Sequence, residues 1–243
     1  MIMLYATKQT PMRKYDPQQP LIFTHIPKCA GTSIVRVLRH WFRGHYYHTF
    51  TDDRRGLPMQ HVATRDATGQ WDRNVQCIHA HFDHRRGYGL PYFYPEIQQY
   101  VTIFRDPFDI VVSMYFFAKG KAQAGKFFHE GNAIDFCSYY PNLETYVHEH
   151  PIWLYDHLPQ DLTLYRLRES LAARFVYIGI FEDMATSIDC LRRKLGKPPI
   201  EMPLRNVSKY DEEVPESLRK WFYHNHPLLY EIYQFALETY RDT

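Results

Sequence analysis

Short strand-like runs alternating with amphipathic helical segments predict an α/β fold, with a central parallel sheet flanked by helices in one domain over 1–243. Three observations carry that expectation. β-Rich runs recur at Leu21–Ile26 (LIFTHI), Val75–Ala80 (VQCIHA), Tyr100–Phe104 (YVTIF) and Phe175–Glu182 (FVYIGIFE). The first, third and fourth of these are each followed by a helical pattern. No linker-like stretch divides the chain, and alternation of this kind favours a parallel sheet covered on both faces.

Composition narrows the class. At 243 residues, 45% hydrophobic and 23% charged, the chain is long enough for a sizeable core and too apolar for wholesale disorder. Twenty-nine Lys and Arg against 27 Asp and Glu leave a net charge of +2, which excludes a strongly basic nucleic-acid binder. The 14 histidines add positive charge only in mild acid. Twenty Tyr, 16 Phe and 4 Trp favour a packed interior and a stacking or sugar-binding cleft. No run of ~18 apolar residues predicts a transmembrane helix. The first twenty residues hold no apolar signal-peptide core, and Cys29, Cys77, Cys137 and Cys190 form no CxxC pair. A reduced, cytoplasmic protein is the simplest expectation.

Along the chain, residues 1–19 read as an irregular lead-in. Ser33–Phe42 reads as a helix, with Ile34, Val37, Leu38 and Trp41 on one stripe and Arg36, Arg39, His40 and Arg43 on the other face. Residues 44–74 read as a long surface excursion. After the strand at 100–104, Asp106 suits an N-cap, Pro107 the first helical position and Gly120 the stop. Residues 121–150 give weak signals. A later helix carries Met184, Ile188, Leu191 and Leu195 on one stripe and ends at Gly196 and Pro198. Pro227 splits the aromatic tail from Pro215 to Arg241 into two helices.

Two segments read as anion sites. The first is H25-I-P-K-C-A-G-T-S33, a loop between a strand and a helix, where unsatisfied N–H groups and the helix dipole favour negative charge. Gly31 permits close backbone approach, Thr32 and Ser33 add hydroxyls, and Lys28 adds a point charge. An ordinary tight turn with a capped helix explains the same residues. The loop is not a Walker A motif, because Lys28 precedes the glycine where that motif places lysine just before Ser or Thr. The second is R105-D-P-F-D-I-V-V-S113, with Arg105 at the carboxyl end of a strand and Ser113 two turns into the next helix. In open parallel sheets ligands lie beyond the carboxyl ends of strands, so Arg105 and the Lys28 loop are expected on one edge, where a guanidinium suits phosphate. The plainer readings are a salt bridge from Arg105 to Asp106 or Asp109, and Ser113 as a small packed residue.

The run C77-I-H-A-H-F-D-H84 places His79 and His81 two apart, on one face of a strand end. Both can point at one reacting centre. A metal site, with His84 as a further ligand, and two satisfied polar residues are the other readings. His84, Arg85 and Arg86 form a basic cluster beside them.

HIPKCAGTS followed by VTIFRDPFDIVVSMYF resembles the PAPS-dependent sulfotransferases, closest to the carbohydrate and heparan sulfate O-sulfotransferase branch, where PAPS is 3′-phosphoadenosine 5′-phosphosulfate. The later segment FVYIGIFEDMATSIDCLRRKLG and RNVSKY is similar to that family's late strand, helix and N-x-S stretch. The resemblance implies a P-loop-like sulfotransferase fold. It also implies a 5′-phosphosulfate loop of Pro27, Lys28, Cys29, Ala30, Gly31, Thr32 and Ser33. Arg105 and Ser113 would bind the 3′-phosphate, with Asn206 and Ser208 near the nucleotide. Many members carry Thr or Gly where this chain has Cys29 and Ala30, positions that act through backbone N–H groups. The family's His-x-His implies a histidine base, here His81, with His79 orienting it and Lys28 stabilising the leaving phosphate. Expected partners are PAPS, its product 3′-phosphoadenosine 5′-phosphate (PAP) and a hydroxylated small-molecule or carbohydrate acceptor, with no metal and no nucleic acid. The membrane anchor and stem of Golgi members have no counterpart in these residues. A P-loop-type nucleotide kinase and a non-catalytic nucleotide-binding protein of the same fold remain the two other classes.

Overall fold

The computed structural model describes residues 11–49, 75–84, 94–125, 128–129, 132–133, 135–149, 155–158, 165–201, 210 and 212–242. Its centre is a five-stranded, all-parallel sheet flanked by helices, consistent with a P-loop-like α/β fold. The strands are β1 (Leu21–Thr24), β2 (Tyr46–Thr49), β3 (Cys77–Ala80), β4 (Tyr100–Phe104) and, after a short antiparallel pair β5 (Phe128–His129) and β6 (Asn132–Ala133), β7 (Phe175–Ile180). Across the sheet they run β2-β3-β1-β4-β7.

Every residue of β1, β3, β4 and β7 is buried, as expected of strands covered on both faces. Leu21, Ile22, Val101 and Phe175 have no exposed surface, and burying each such side chain contributes roughly 1.5–3 kcal/mol.

Helix α1 (Gly31–Phe42) buries Ile34, Val37, Leu38 and Trp41, the stripe its spacing predicts. It starts two residues earlier than the apolar pattern shows, because Ser33 and Ile34 already donate their N–H groups to the Ala30 carbonyl. Helix α2 (Pro107–Gln123) is capped by Asp106, whose carboxylate accepts from the Asp109 N–H at 3.1 Å, with Pro107 in the first turn. Gly120 is not its stop. The helix runs through it and ends at Gly125, whose φ of +62° lets its N–H close onto the Ala122 carbonyl at 2.8 Å.

The expected excursion over 44–74 contains a strand. Tyr46-Tyr47-His48-Thr49 pairs in parallel with β3, from Tyr46 beside Cys77 to Thr49 beside Ala80. Its aromatic and β-branched residues favour extension, and the strand lies hidden in a polar run. The remainder, 50–74, lies outside the described residues.

The weak segment at 121–150 yields α3 (Phe136–Tyr139) and α4 (Leu143–Glu149), which pack Phe136, Tyr140 and Tyr146 around Tyr115 of α2. Beyond α5 (Leu167–Arg174) and β7 comes α6 (Met184–Lys194), which buries Met184, Ile188 and Leu191 and closes at Gly196, φ +63°. Pro227 divides the tail into α7 (Glu216–Asn225) and α8 (Pro227–Thr239), sitting at the start of the second. The described part of the lead-in is irregular yet tied down. Arg13 donates its N–H to the Ala172 carbonyl at 2.8 Å, and the Gln99 amide donates to the carbonyls of Asp16, Gln19 and Pro20. Among the described residues no helix is long and apolar enough to cross a membrane. The four cysteines are free thiols.

Gly179 of β7 has no room for a side chain. A Cβ there falls 2.5 Å from Ile103 Cδ1 and 3.1 Å from Ser187 Cβ, whose hydroxyl is engaged with the Ile180 backbone. Gly179→Ala should therefore cost about 1–3 kcal/mol through overpacking, read as a lower urea midpoint at unchanged m-value.

Candidate active site at the carboxyl edge of the sheet

The chain leaves β1 towards β2 and β3 on one side, and leaves β4 towards β7 on the other. β1 and β4 are nevertheless hydrogen-bonded neighbours, with Ile22 beside Tyr100 and Phe23 beside Val101. The carboxyl ends of this pair are therefore a topological switch point, the place where open parallel sheets bind ligands. The loop after β1 carries Lys28 and the loop after β4 carries Arg105. The structure brings them together: Arg105 Nη1 donates to the Lys28 carbonyl at 3.3 Å.

Within the first loop, Lys28 and Ala30 both lie in the left-handed region, at φ +66° and +61°. Ala30 is the residue before α1 and offers no side-chain cap. Backbone bends of this kind, opening into an uncapped helix start, aim N–H groups at one point and suit an anion. Pro27 is half-buried and Thr32 is exposed in the first turn, whereas Ser33 is buried. Cys29 is buried too, and burial pushes its thiol far above the usual range, so it is a neutral packing group. Burial and the nearby Arg105 charge lower the pKa of Lys28, whose Nζ lies 4.3 Å from the Phe117 ring centroid.

Arg105 lies over the Phe181 ring at 4.6 Å and donates through Nη2 to the Tyr210 hydroxyl at 3.4 Å. Its Nε is buried without a partner among the described residues. The expected alternative, a salt bridge to Asp106 or Asp109, does not occur. Arg219 of α7 takes both carboxylates, at 3.2 and 2.5 Å. Ser113 is 1% exposed and its hydroxyl has no partner among the described residues. It shares a face of α2 with Phe116 and Phe117, three and four residues on. Phe116 stacks on Tyr210 at 4.6 Å, and Phe117 lies under Lys28. Two buried donors without partners cost about 1–3 kcal/mol each, a deficit that a bound oxyanion removes.

The third part of the site is a bank of imidazoles. His79 has no exposed surface and its Nδ1 lies 2.7 Å from the Tyr46 hydroxyl. His48 stacks on one side of it at 4.8 Å, and His25 lies on the other at 4.9 Å. His25 in turn stacks on His81 at 4.0 Å with an interplanar angle of 27°. His81, just past the end of β3, is partly exposed at the sheet edge, whereas His79 lies deeper. Burial, then the neighbouring His48 and His81, hold His79 well below the ordinary imidazole pKa. The backbone N–H of His84 donates to the Asp156 carbonyl at 2.9 Å, and its imidazole Nε2 is buried with no partner among the described residues. Among the described residues no group of three or more His, Cys, Asp or Glu is arranged to hold a metal ion. Asn206, Ser208, Arg85 and Arg86 lie outside the described residues.

Sequence reasoning gave His25 only as the first letter of a loop motif. Strand register is the signal that finds it: Thr24 pairs with Ala80, so the next residues, His25 and His81, fall side by side. Tyr46, His48, Phe117 and Tyr210 are reached through elements whose pairing is tertiary. No protein-family model matches this chain, and no curated protein does.

His79 is neutral in the fold and titrates near its ordinary value once unfolded. The unfolded chain then binds more protons below about pH 6.5, so stability falls as pH falls through that value. Urea unfolding should lose up to about 1.4 kcal/mol per pH unit from this group between about pH 6.5 and pH 5. A His79→Phe variant should show a correspondingly shallower slope.

Proposed function

We propose that this protein transfers a sulfuryl group from PAPS to a hydroxyl acceptor, with a carbohydrate as the expected acceptor class. One observation carries the reading. Lys28 and Arg105 meet across the switch point with no carboxylate partner among the described residues, where the Arg105 Nε and the Ser113 hydroxyl are buried without partners and the helix start beside them is uncapped. Such a site fits a molecule with two separate anionic groups, and the partly exposed His81 beside it fits a reacting hydroxyl.

The residues present suit PAPS, which supplies an activated sulfuryl group on a phosphate leaving group. The N–H groups at the start of α1 and the Lys28 ammonium meet the charge that develops on the leaving oxygen. Fixed donors of this kind are effective because they need no reorganisation during reaction. Arg105 and Ser113 hold the second phosphate and fix the nucleotide, so positioning supplies much of the acceleration. His81 takes the acceptor's proton, a task suited to a neutral imidazole near neutral pH. His79, held by Tyr46, supports that edge from beneath.

Two measurements test the assignment. In calorimetry PAP should bind far more tightly than AMP, and Arg105→Ala should erase most of that preference, a loss of about 1.5–3 kcal/mol. Equal affinity for the two nucleotides in the wild type would remove the second-phosphate site. With labelled PAPS and a panel of sugar acceptors, His81→Ala should lower kcat by roughly 10²–10⁴-fold while leaving PAP affinity unchanged. Turnover confined to phenols would overturn the acceptor class.

A further inference from the structure

We propose that His25 is a positioning residue that sets the place of the base His81 against the anion loop. The kinetic part of this inference rests on the sulfuryl-transfer reading; the structural part does not.

His25 follows β1 directly and keeps its ladder, donating its N–H to the Ala80 carbonyl at 2.8 Å. That bond fixes the residue beside His81, and the rings stack with centroids 4.0 Å apart. On its other side the imidazole presses on the first residue of α1. A Cβ at Gly31 would fall 1.8 Å from His25 Nε2 and 1.9 Å from its Cε1. A ring wedged in this way touches both the anion loop and the base. His79 bounds it on a third side at 4.9 Å and is itself immobilised by Tyr46 and by Phe23, 5.0 Å away.

The geometry also says what His25 does not do. Proton transfer runs along N–H directions in the ring plane, whereas His25 and His81 meet face to face, so His25 is no proton relay. The groups that act on it are all imidazoles, from His79 and His81 of the β3 segment, His157 of the turn at 155–157, and His48 of β2. Arg39 of α1 acts on His48 and His79. Burial and these neighbours hold His25 well below the usual imidazole value, so it stays uncharged when His81 takes up a proton. The wedge fixes geometry without adding a fixed positive charge beside the base.

The test compares His25→Ala with His25→Phe, which keeps a flat ring without nitrogens. The His81 ring signals are followed by NMR across a pH series, with turnover of labelled PAPS and PAP binding measured alongside. In His25→Ala the His81 ring protons should lose the ring-current shift of the stacked neighbour. Its titration midpoint should move, and kcat should fall by about 10²-fold, by far more than PAP affinity weakens, as for a reactive group displaced by about 1 Å. His25→Phe should retain the ring-current shift and recover most of kcat. If His25→Ala unfolds, the Phe variant alone decides. The inference is overturned if His25→Ala leaves the His81 signals and kcat unchanged. It is equally overturned if His25→Phe is folded but as slow as His25→Ala, since a nitrogen of His25 is then required. Absence of sulfate transfer by the wild type would remove the proposed function, and the His81 signals would then decide the positioning role by themselves.

Discussion

The pairing of β1 between β3 and β4 is the constraint on which the rest depends. β1 has four residues, all buried, and each of its neighbours lies parallel to it. Parallel pairing sends three carboxyl ends to the same edge, so the loops after β1, β3 and β4 emerge side by side. His25, Lys28, His81 and Arg105 are therefore neighbours although 80 residues separate the first from the last. The Thr102 hydroxyl strengthens the junction by donating to the Thr24 carbonyl at 2.8 Å, bridging β4 to the last residue of β1. Slippage of β1 by one residue would turn every side chain over and bring His25 to the opposite face of the sheet. The site is thus a consequence of register before it is a consequence of side chains.

Charge is arranged to match. Among the described residues, Asp106, Asp109 and Glu182 stand close to Arg105 and each is engaged elsewhere. Asp106 and Asp109 are held by Arg219, and Asp106 also caps α2. Glu182 accepts from the Asp106 N–H and from the Tyr233 hydroxyl, both at 2.9 Å. A free carboxylate here would neutralise Arg105 and compete with any anionic ligand. Binding the acids to α7 and α8 leaves the Lys28–Arg105 pair positive in a partly dehydrated setting, where Coulombic attraction to a ligand exceeds that in open water. The C-terminal helices thus hold the acids beside Arg105.

The buried strands and the helices with strong apolar stripes were legible in the sequence, because burial on both faces writes itself as a continuous run. β1, β4, β7, α1 and α6 all follow from that, and Asp106 and Pro227 act as the local chemistry of caps and proline predicts. β2 was not legible: Tyr46–Thr49 is a strand because β3 offers it an edge, and its own residues are mixed. Gly120 misled because glycine inside a long helix is tolerated once packing supplies the stability. At the site, Lys28 and Arg105 stood out from position alone. That Asp106 and Asp109 pair with Arg219 and leave Arg105 without them depends on α7 folding back over α2, which no spacing in the chain records. His25 was written in the motif, but its contact with Gly31 required the register.

Gly31 shows how one residue answers two demands. A glycine in an anion loop is ordinarily credited with freedom at positive φ or with close approach of ligand to backbone. Here the left-handed conformations fall on Lys28 and Ala30 instead, where a side chain makes them cost about 1–2 kcal/mol each. If backbone freedom were the requirement, glycine would stand at 28 or 30. It stands at 31 because the space beyond its Cα is filled by the His25 ring. The loop keeps a lysine at 28 and accepts the strain, while the glycine is placed where the imidazole needs room. Substitution at 31 would then displace His25 first and the loop second, so the Lys28 loop and the His81 ring share one steric fulcrum.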